Sequence, residues 1–518
     1  MRGLAPFAAA GRSVAAAARR APVELGIGLL VFGCCAFFFQ GGGWNQNSHF
    51  ATTVALVEHG SVILDDVRAS TGDLARVDGH VVSNKAIGTS LIAVPAYLVA
   101  KTLTLGITNP GDATILCAYV TTILTSGLAL ALLAVVLYRL LRRRLPPTDA
   151  CLLAVAAALA TPLFPNSTMI ASHPLVALAA LSSFALLDQP RAREPDAAVR
   201  LFLAGVCAAL PLTMEYLTAV IVVPLSVYGW WRARPHRRAL WFGLGVGLVA
   251  LVPLTHHTLV FGHPLSTGYA SLVNPGFAAA QATGWHGFDG LSLWRLYHLT
   301  FGPTRGFFLL SPFLLAGVPG FVRLARQRGS RAYGLVAAAI AIGVLLAVAS
   351  FVHWHSGSAS GSRYALLFVT FSIVGVAAQM PRHRVWILLG MGLGLTFMVI
   401  GTAVTAIPPP PPEHGAMPSV LGWWWERFAA GNLASWQEAI LVSEGGATGE
   451  PTLPFAFNLG QLMGLPGLWS LAPLVVFGAG MSAVLRGQLR RASGALPSRA
   501  SPAPATAAGP GAETRGRG

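Results

Sequence analysis

The chain has 518 residues, 54% hydrophobic and 10% charged, with a mean hydropathy of +0.62 and a formal net charge of +16. Apolar runs near the roughly 20 residues that a bilayer core requires recur along it, which excludes a soluble globular protein and predicts a polytopic membrane protein. The arginines cluster between those runs, so the positive charge reads as a topology signal and not as a nucleic-acid footprint. The five cysteines sit inside apolar runs, with neither metal-ligand nor disulfide spacing.

Residues 1–21 read as a basic cytoplasmic N-terminus carrying Arg12, Arg19 and Arg20, followed by an apolar run from Pro22 to Phe39. Basic flanks stay in the cytoplasm, so this first span is expected to lead outward. The first outer loop, 41–86, holds Glu58, Asp65, Asp66, Asp73 and Asp78 among only 19 acidic residues, together with His49, His59, His80 and Lys85. Loops on rigid scaffolds carry function, and the alternative is a solvated loop with a surface helix. The next cytoplasmic anchor is Arg139, Arg142, Arg143 and Arg144, with apolar runs 87–105 and 113–141 ahead of it. Two full crossings would put that anchor outside. The run 113–141 is therefore expected to cross, and 87–105, with Pro95 and Lys101, to lie on or dip into the outer leaflet.

Further spans are expected near 151–164, 172–187, 201–212, 216–230, 240–261, 307–322, 333–352, 365–380 and 385–407, alternating between short basic inner turns and longer outer loops. A Pro- and Trp-rich outer loop, 407–464, precedes a last span, 465–485, and an Ala-, Pro-, Ser- and Gly-rich cytoplasmic tail, 486–518, expected to be disordered. The resulting fold class is an all-α polytopic membrane protein of about 12 transmembrane helices, with both termini cytoplasmic, outward-facing loops and juxtamembrane helices. No internal repeat is visible, which weakens an inverted-repeat transporter.

The polar chemistry gathers on the outer side. Lys85 in SNKAIG, Arg305 in FGPTRGFF and Arg363 in SGSRYALL each precede or open a membrane helix among Gly, Ser and aromatic residues. Guanidinium and ammonium groups suit phosphate oxygens at a bilayer surface, while headgroup snorkelling or ion pairing with the loop aspartates is the structural alternative. Glu215, between two apolar runs, is either a functional carboxylate or a helix-terminal cap. His353 and His355 could ligate a metal or sit at the interface, and Trp423, Trp424 and Trp425 could stack on a sugar or form an aromatic belt.

The order of a first span, a polar motif, a helix, GSVILD and then DGHVVSNKAIG resembles the bacterial membrane glycosyltransferases of the GT-C superfamily, near the protein O-mannosyltransferase and aminoarabinose transferase group. The resemblance extends to about residue 406 and implies a GT-C-like transmembrane module over 22–406. It puts Lys85 in the family's lysine position. It implies transfer of a sugar from a polyprenyl-phosphate donor to an acceptor at the outer face of a bacterial cytoplasmic membrane, among membrane lipids and without nucleic acid. No cofactor is required by these motifs, and a divalent metal is left open, as are the sugar, the acceptor and the oligomeric state. Where the family has its first acid this chain has Asn45, Gln46 and Asn47, and a second family acid is replaced by His173. The base is then expected among Asp65, Asp66, Glu215 and His173, with Asn45, Asn47 and His49 as substrate contacts beside Lys85, Arg305 and Arg363. The rival readings are a transporter or flippase for lipid-linked sugars and a non-catalytic component of envelope assembly.

Overall fold

Two groups of contacts define opposite faces of the molecule, in a computed structural model that describes residues 22–67, 70–189, 196–233, 236–410, 419–441 and 451–494. Arg12, Arg19, Arg20 and the tail beyond 494 lie outside those residues. Helix α1, Pro22–Ala36, begins where Arg139 Nε donates to the Glu24 carboxylate at 3.4 Å. It ends at Phe38–Phe39, which pairs antiparallel with Phe457–Asn458. Next come α2, Trp44–Glu58, a β-hairpin, and α3, Gly88–Leu103. Helix α4, Pro110–Leu141, begins where the Asp112 carboxylate accepts from the backbone of Thr452 and Leu453. Three residues past its end, Arg144 bonds Asp188 at 2.8 Å.

One face therefore gathers 38–43, 110–112 and 451–458, and the other gathers Glu24, Arg139, Arg144 and Asp188. The described residues of 38–109 lie on the first, here termed the loop face. Helix α3 has 16 residues with Pro95 inside it and runs parallel to α2. Ser90 Oγ donates to His49 O at one end, and Lys101 pairs with Glu58 at 2.5 Å at the other.

Among the described residues, six helices are long and apolar enough to cross a membrane: α4, Ala197–Met214, Ala239–Phe261, Arg331–Ala349, Arg363–Val404 and Gly467–Ala492. Shorter apolar helices include α1, α3, Pro147–Leu159 and α5, Ser172–Leu187. After α5 come α6, Asp196–Met214, and α7, Ala239–Phe261. Leu366–Val404 is continuous only in name. A straight helix of 39 residues would be about 58 Å long. Yet Ser360 N, just before it, donates to Ala406 O, just after it, at 3.1 Å. The chain must therefore reverse, and it does so at Pro381 to His383, where His383 leaves helical geometry (φ −122°, ψ 31°). Arg384 there bonds Asp149, on the arginine-rich face.

The expected span 307–322 is not one helix. It divides into Phe307–Leu310, a 3-10 turn Pro312–Ala316, and Gly317–Arg326, because Pro312 pushes Ser311 out of the helical region. The last helix runs Ala472–Gly494, so the arginines expected in the tail up to Arg491 are helical. Between helices in lipid there is little hydrophobic gain, so close backbone approach at small residues does the packing. A Cβ on Gly320 would fall 1.9 Å from Gly375 O, so Gly317–Arg326 can meet the first arm of the reversed helix only with glycine there.

Candidate active site

Strand β1, Leu74–Val77, and strand β2, His80–Ser83, join through Asp78 and Gly79 at φ 50° and 87°. Positive φ at both central residues is the two-residue hairpin turn that matches strand twist, and it is why Asp-Gly serves there. The turn fixes the register, Val77 opposite His80 and Leu74 opposite Ser83. One step further Asn84 N donates to Asp73 O, and Lys85 Nζ then lies 2.9 Å from Asp73 Oδ1. The two side chains are only 10% and 6% exposed, so this is a buried ion pair. Burial works against the Lys85 ammonium, but the Asp73 carboxylate together with Tyr269 and Tyr364 outweighs it, and the lysine pKa is raised. The Tyr269 ring lies 5.6 Å from the same nitrogen.

This pair lines a cavity of about 660 Å³ on the loop face. Arg363, Asn45, Trp44, Phe277, His353, His355, Trp436 and Glu438 also line it. Arg363 is 8% exposed and its Nε has no hydrogen-bond partner. Arg305 does not line the cavity but stands behind its wall, 0% exposed. Its Nη2 donates to Gly357 O at 2.8 Å and Pro409 O at 3.2 Å, while Nε and Nη1 are unpartnered. Burial, with the Arg363 charge added, pushes the Arg305 pKa down to about 9. Buried N–H groups of this kind are costly unless an anion meets them.

His173 opens α5, and Glu215 follows α6; His173 Nε2 and Glu215 Oε2 are 3.8 Å apart. Burial raises the Glu215 pKa, opposed by the Lys85 and Arg363 cations. His49 is buried in α2 with Nδ1 unpartnered. Its pKa falls to about 3, first through burial and then through Lys85. Asn47 serves the loops, its Nδ2 donating to Ser70 O at 2.7 Å and Ala439 O at 3.1 Å.

Asp65 and Asp66 do not fold back to Lys85. Asp65 accepts from Val81 N at 2.8 Å and pairs with His80 at 2.6 Å on the exposed outer edge of the hairpin, and Asp66 is exposed beside it. The acid that reaches the lysine is Asp73, which composition alone did not separate from its neighbours. The Asp78-Gly79 dipeptide was the available signal, since a two-residue turn there sets Asp73 across from Asn84. The tryptophans take different places. Trp424 is buried against Gly401 and Trp425 stacks on Phe428, whereas Trp44 and Trp436 border the cavity. His353 and His355 reach the cavity rim, and among the described residues no group of three or more His, Cys, Asp or Glu could hold a metal ion.

The solved structure of ArnT from Cupriavidus metallidurans bound to undecaprenyl phosphate superposes with a TM-score of 0.50 at 14% identity, covering 92% of this chain and 79% of that one. The chain has the GT-C fold. The same enzyme in the apo state gives a TM-score of 0.48 at 15% identity, over 93% of this chain and 77% of that one. The archaeal oligosaccharyltransferase AglB from Archaeoglobus fulgidus gives 0.44 at 11% identity, over 83% and 61%. No protein-family model and no curated protein matches the sequence. With a GT-C fold and several apolar helices, the chain is a multi-pass membrane protein. Identity this low establishes the fold and not the roles of individual side chains.

Proposed function

We propose that the protein transfers a sugar from a polyprenyl-phosphate-linked donor to an acceptor at the loop face. The observation that carries this reading is the pair Lys85 and Arg363 lining one cavity, with Arg305 buried behind it and two of its nitrogens unpartnered. Guanidinium nitrogens left without a hydrogen-bond partner, Arg363 Nε and Arg305 Nε and Nη1, favour an anion, and the phosphate ester of a membrane lipid is the anion we assign to them. Lys85 and Arg363 hold the phosphate and stabilise the charge that develops as it leaves. Glu215 and His173, beside those cations, are candidate bases toward the acceptor hydroxyl, with Asn45 as a polar contact in the cavity and His49 just beneath it.

In this reading the loop face is the outer face of a bacterial cytoplasmic membrane, reached by about twelve crossings with both termini inside. A lipid-linked sugar flippase is the rival. Transport by alternating access calls for polar groups near the midplane, and Lys85, Arg305 and Arg363 gather at the loop face instead. Lipid-extract mass spectrometry of a deletion strain against its parent tests the proposal. A lipid-linked sugar that accumulates on deletion supports transfer, and an unchanged lipid profile removes it.

A further inference from the structure

We infer that Asp73, and not the candidates Glu215 and His173, is the base of this reaction and that its ion pair with Lys85 keeps it masked until the donor's phosphate arrives. The inference rests on the proposed transfer from a lipid-phosphate donor. Three observations point to it. Asp73 is a carboxylate lining the cavity within 3 Å of the cation assigned to the phosphate: Oδ1 to Nζ is 2.9 Å. Its backbone is fixed on both sides, with Asp73 N donating to Thr71 Oγ1 at 3.0 Å and Ser48 Oγ donating to Asp73 O at 2.9 Å, so the side chain can let go while the main chain stays. The positions just after α1, where the resemblance expects an acid, hold Asn45, Gln46 and Asn47, none of which can accept a proton at neutral pH.

A carboxylate in a full ion pair with an ammonium is a poor base, because deprotonating an acceptor there would break the pair. The donor's phosphodiester carries one negative charge spread over two oxygens, and with Arg363 lining the same cavity it competes with Asp73 for the ammonium. Lys85 turns to the phosphate, and the buried Asp73 carboxylate is left without its cation and free to accept a proton. The acceptor hydroxyl then gives its proton to Asp73 while its oxygen bonds to the anomeric carbon. The bond from that carbon to the phosphate oxygen breaks, and its electron pair stays on the lipid phosphate held by Lys85 and Arg363. Donor binding thus creates the base, and the donor must bind before the acceptor reacts.

The test uses the purified full chain in nanodiscs with undecaprenyl phosphate as probe, and complementation of a deletion strain read by lipid mass spectrometry. Asp73→Asn removes the competing charge, so the probe should bind several-fold tighter than to the parent, while the lipid-linked sugar accumulates as in the deletion. Asp73→Glu, which restores a carboxylate, should recover part of the transfer and shows that the position tolerates change. Tighter binding together with lost transfer is not expected of a residue that only supports folding. If D73N complements fully, or binds the probe no tighter than the parent, the inference is overturned while the transferase reading stands. If the parent itself binds no undecaprenyl phosphate, the transferase reading falls, and this inference with it.

Discussion

His173 Nε2 and Glu215 Oε2 face each other at 3.8 Å where α5 begins and α6 ends, both side chains nearly enclosed. Lys85 and Arg363 act on the same carboxylate, so this pair and those two cations form one electrostatic unit. Two groups that act as a unit do not contribute additively. Glu215→Gln and His173→Ala are each expected to lower transfer by roughly tenfold, about 1.4 kcal/mol in the barrier. The double variant should lose little more than the worse single one. A product of the two losses, measured by complementation and lipid mass spectrometry, would show that the pair is not coupled.

Lys85→Met leaves the Asp73 carboxylate buried and unpaired, and loss of one partner from a buried pair costs about 3–5 kcal/mol. Adding Asp73→Asn should restore most of that stability, because no charge is then stranded. Thermal unfolding in detergent compares the parent, the single variant and the double. Equal melting temperatures for K85M and the parent would contradict a buried pair.

His49 makes stability depend on pH. Burial, Lys85 and Arg363 hold its pKa near 3 in the folded chain, with Asp73 opposing, against about 6.5 when unfolded. A depressed folded pKa means the folded state binds fewer protons, so stability is full above about pH 6.5 and declines as pH falls toward 3. At pH 5 the loss is on the order of 2 kcal/mol relative to pH 7.5. His49→Gln should remove most of that decline, seen as a smaller drop in Tm between the two pH values. An unchanged pH profile in H49Q would assign the decline to other groups.

The reversal at Pro381 to His383 predicts which residues share a side of the membrane. A cysteine placed at Arg382 should label from the side opposite to one placed at Gln437, because Arg382 lies at the turn of the hairpin and Gln437 sits by Ala456 on the loop face. Ser360→Cys paired with Ala406→Cys should form a disulfide, since the backbones meet at 3.1 Å. Labelling of both single cysteines from one side would mean a straight helix.

The run lengths and the arginine clusters of the sequence determined a helical membrane protein with its polar chemistry on one face, because a bilayer leaves few solutions for long apolar runs and strongly biases basic flanks. The charge conflict at Arg142 to Arg144 led to the expectation that 87–105 does not cross, and the structure sets α3 beside α2 on the loop face. The residues of the site were a different matter. Asp65 and Asp73 are alike in composition and lie eight positions apart in one loop. Only the hairpin register turns Asp73 to Lys85 and leaves Asp65 with His80 on the rim. Arg305, Arg363, His173 and Glu215 come from four distant segments, and whether a cation lines a cavity or stands behind its wall depends on long-range packing. Apolar periodicity is a local signal set by the solvent, whereas a site is a set of distances between remote segments, and those are decided only when the helices close around it.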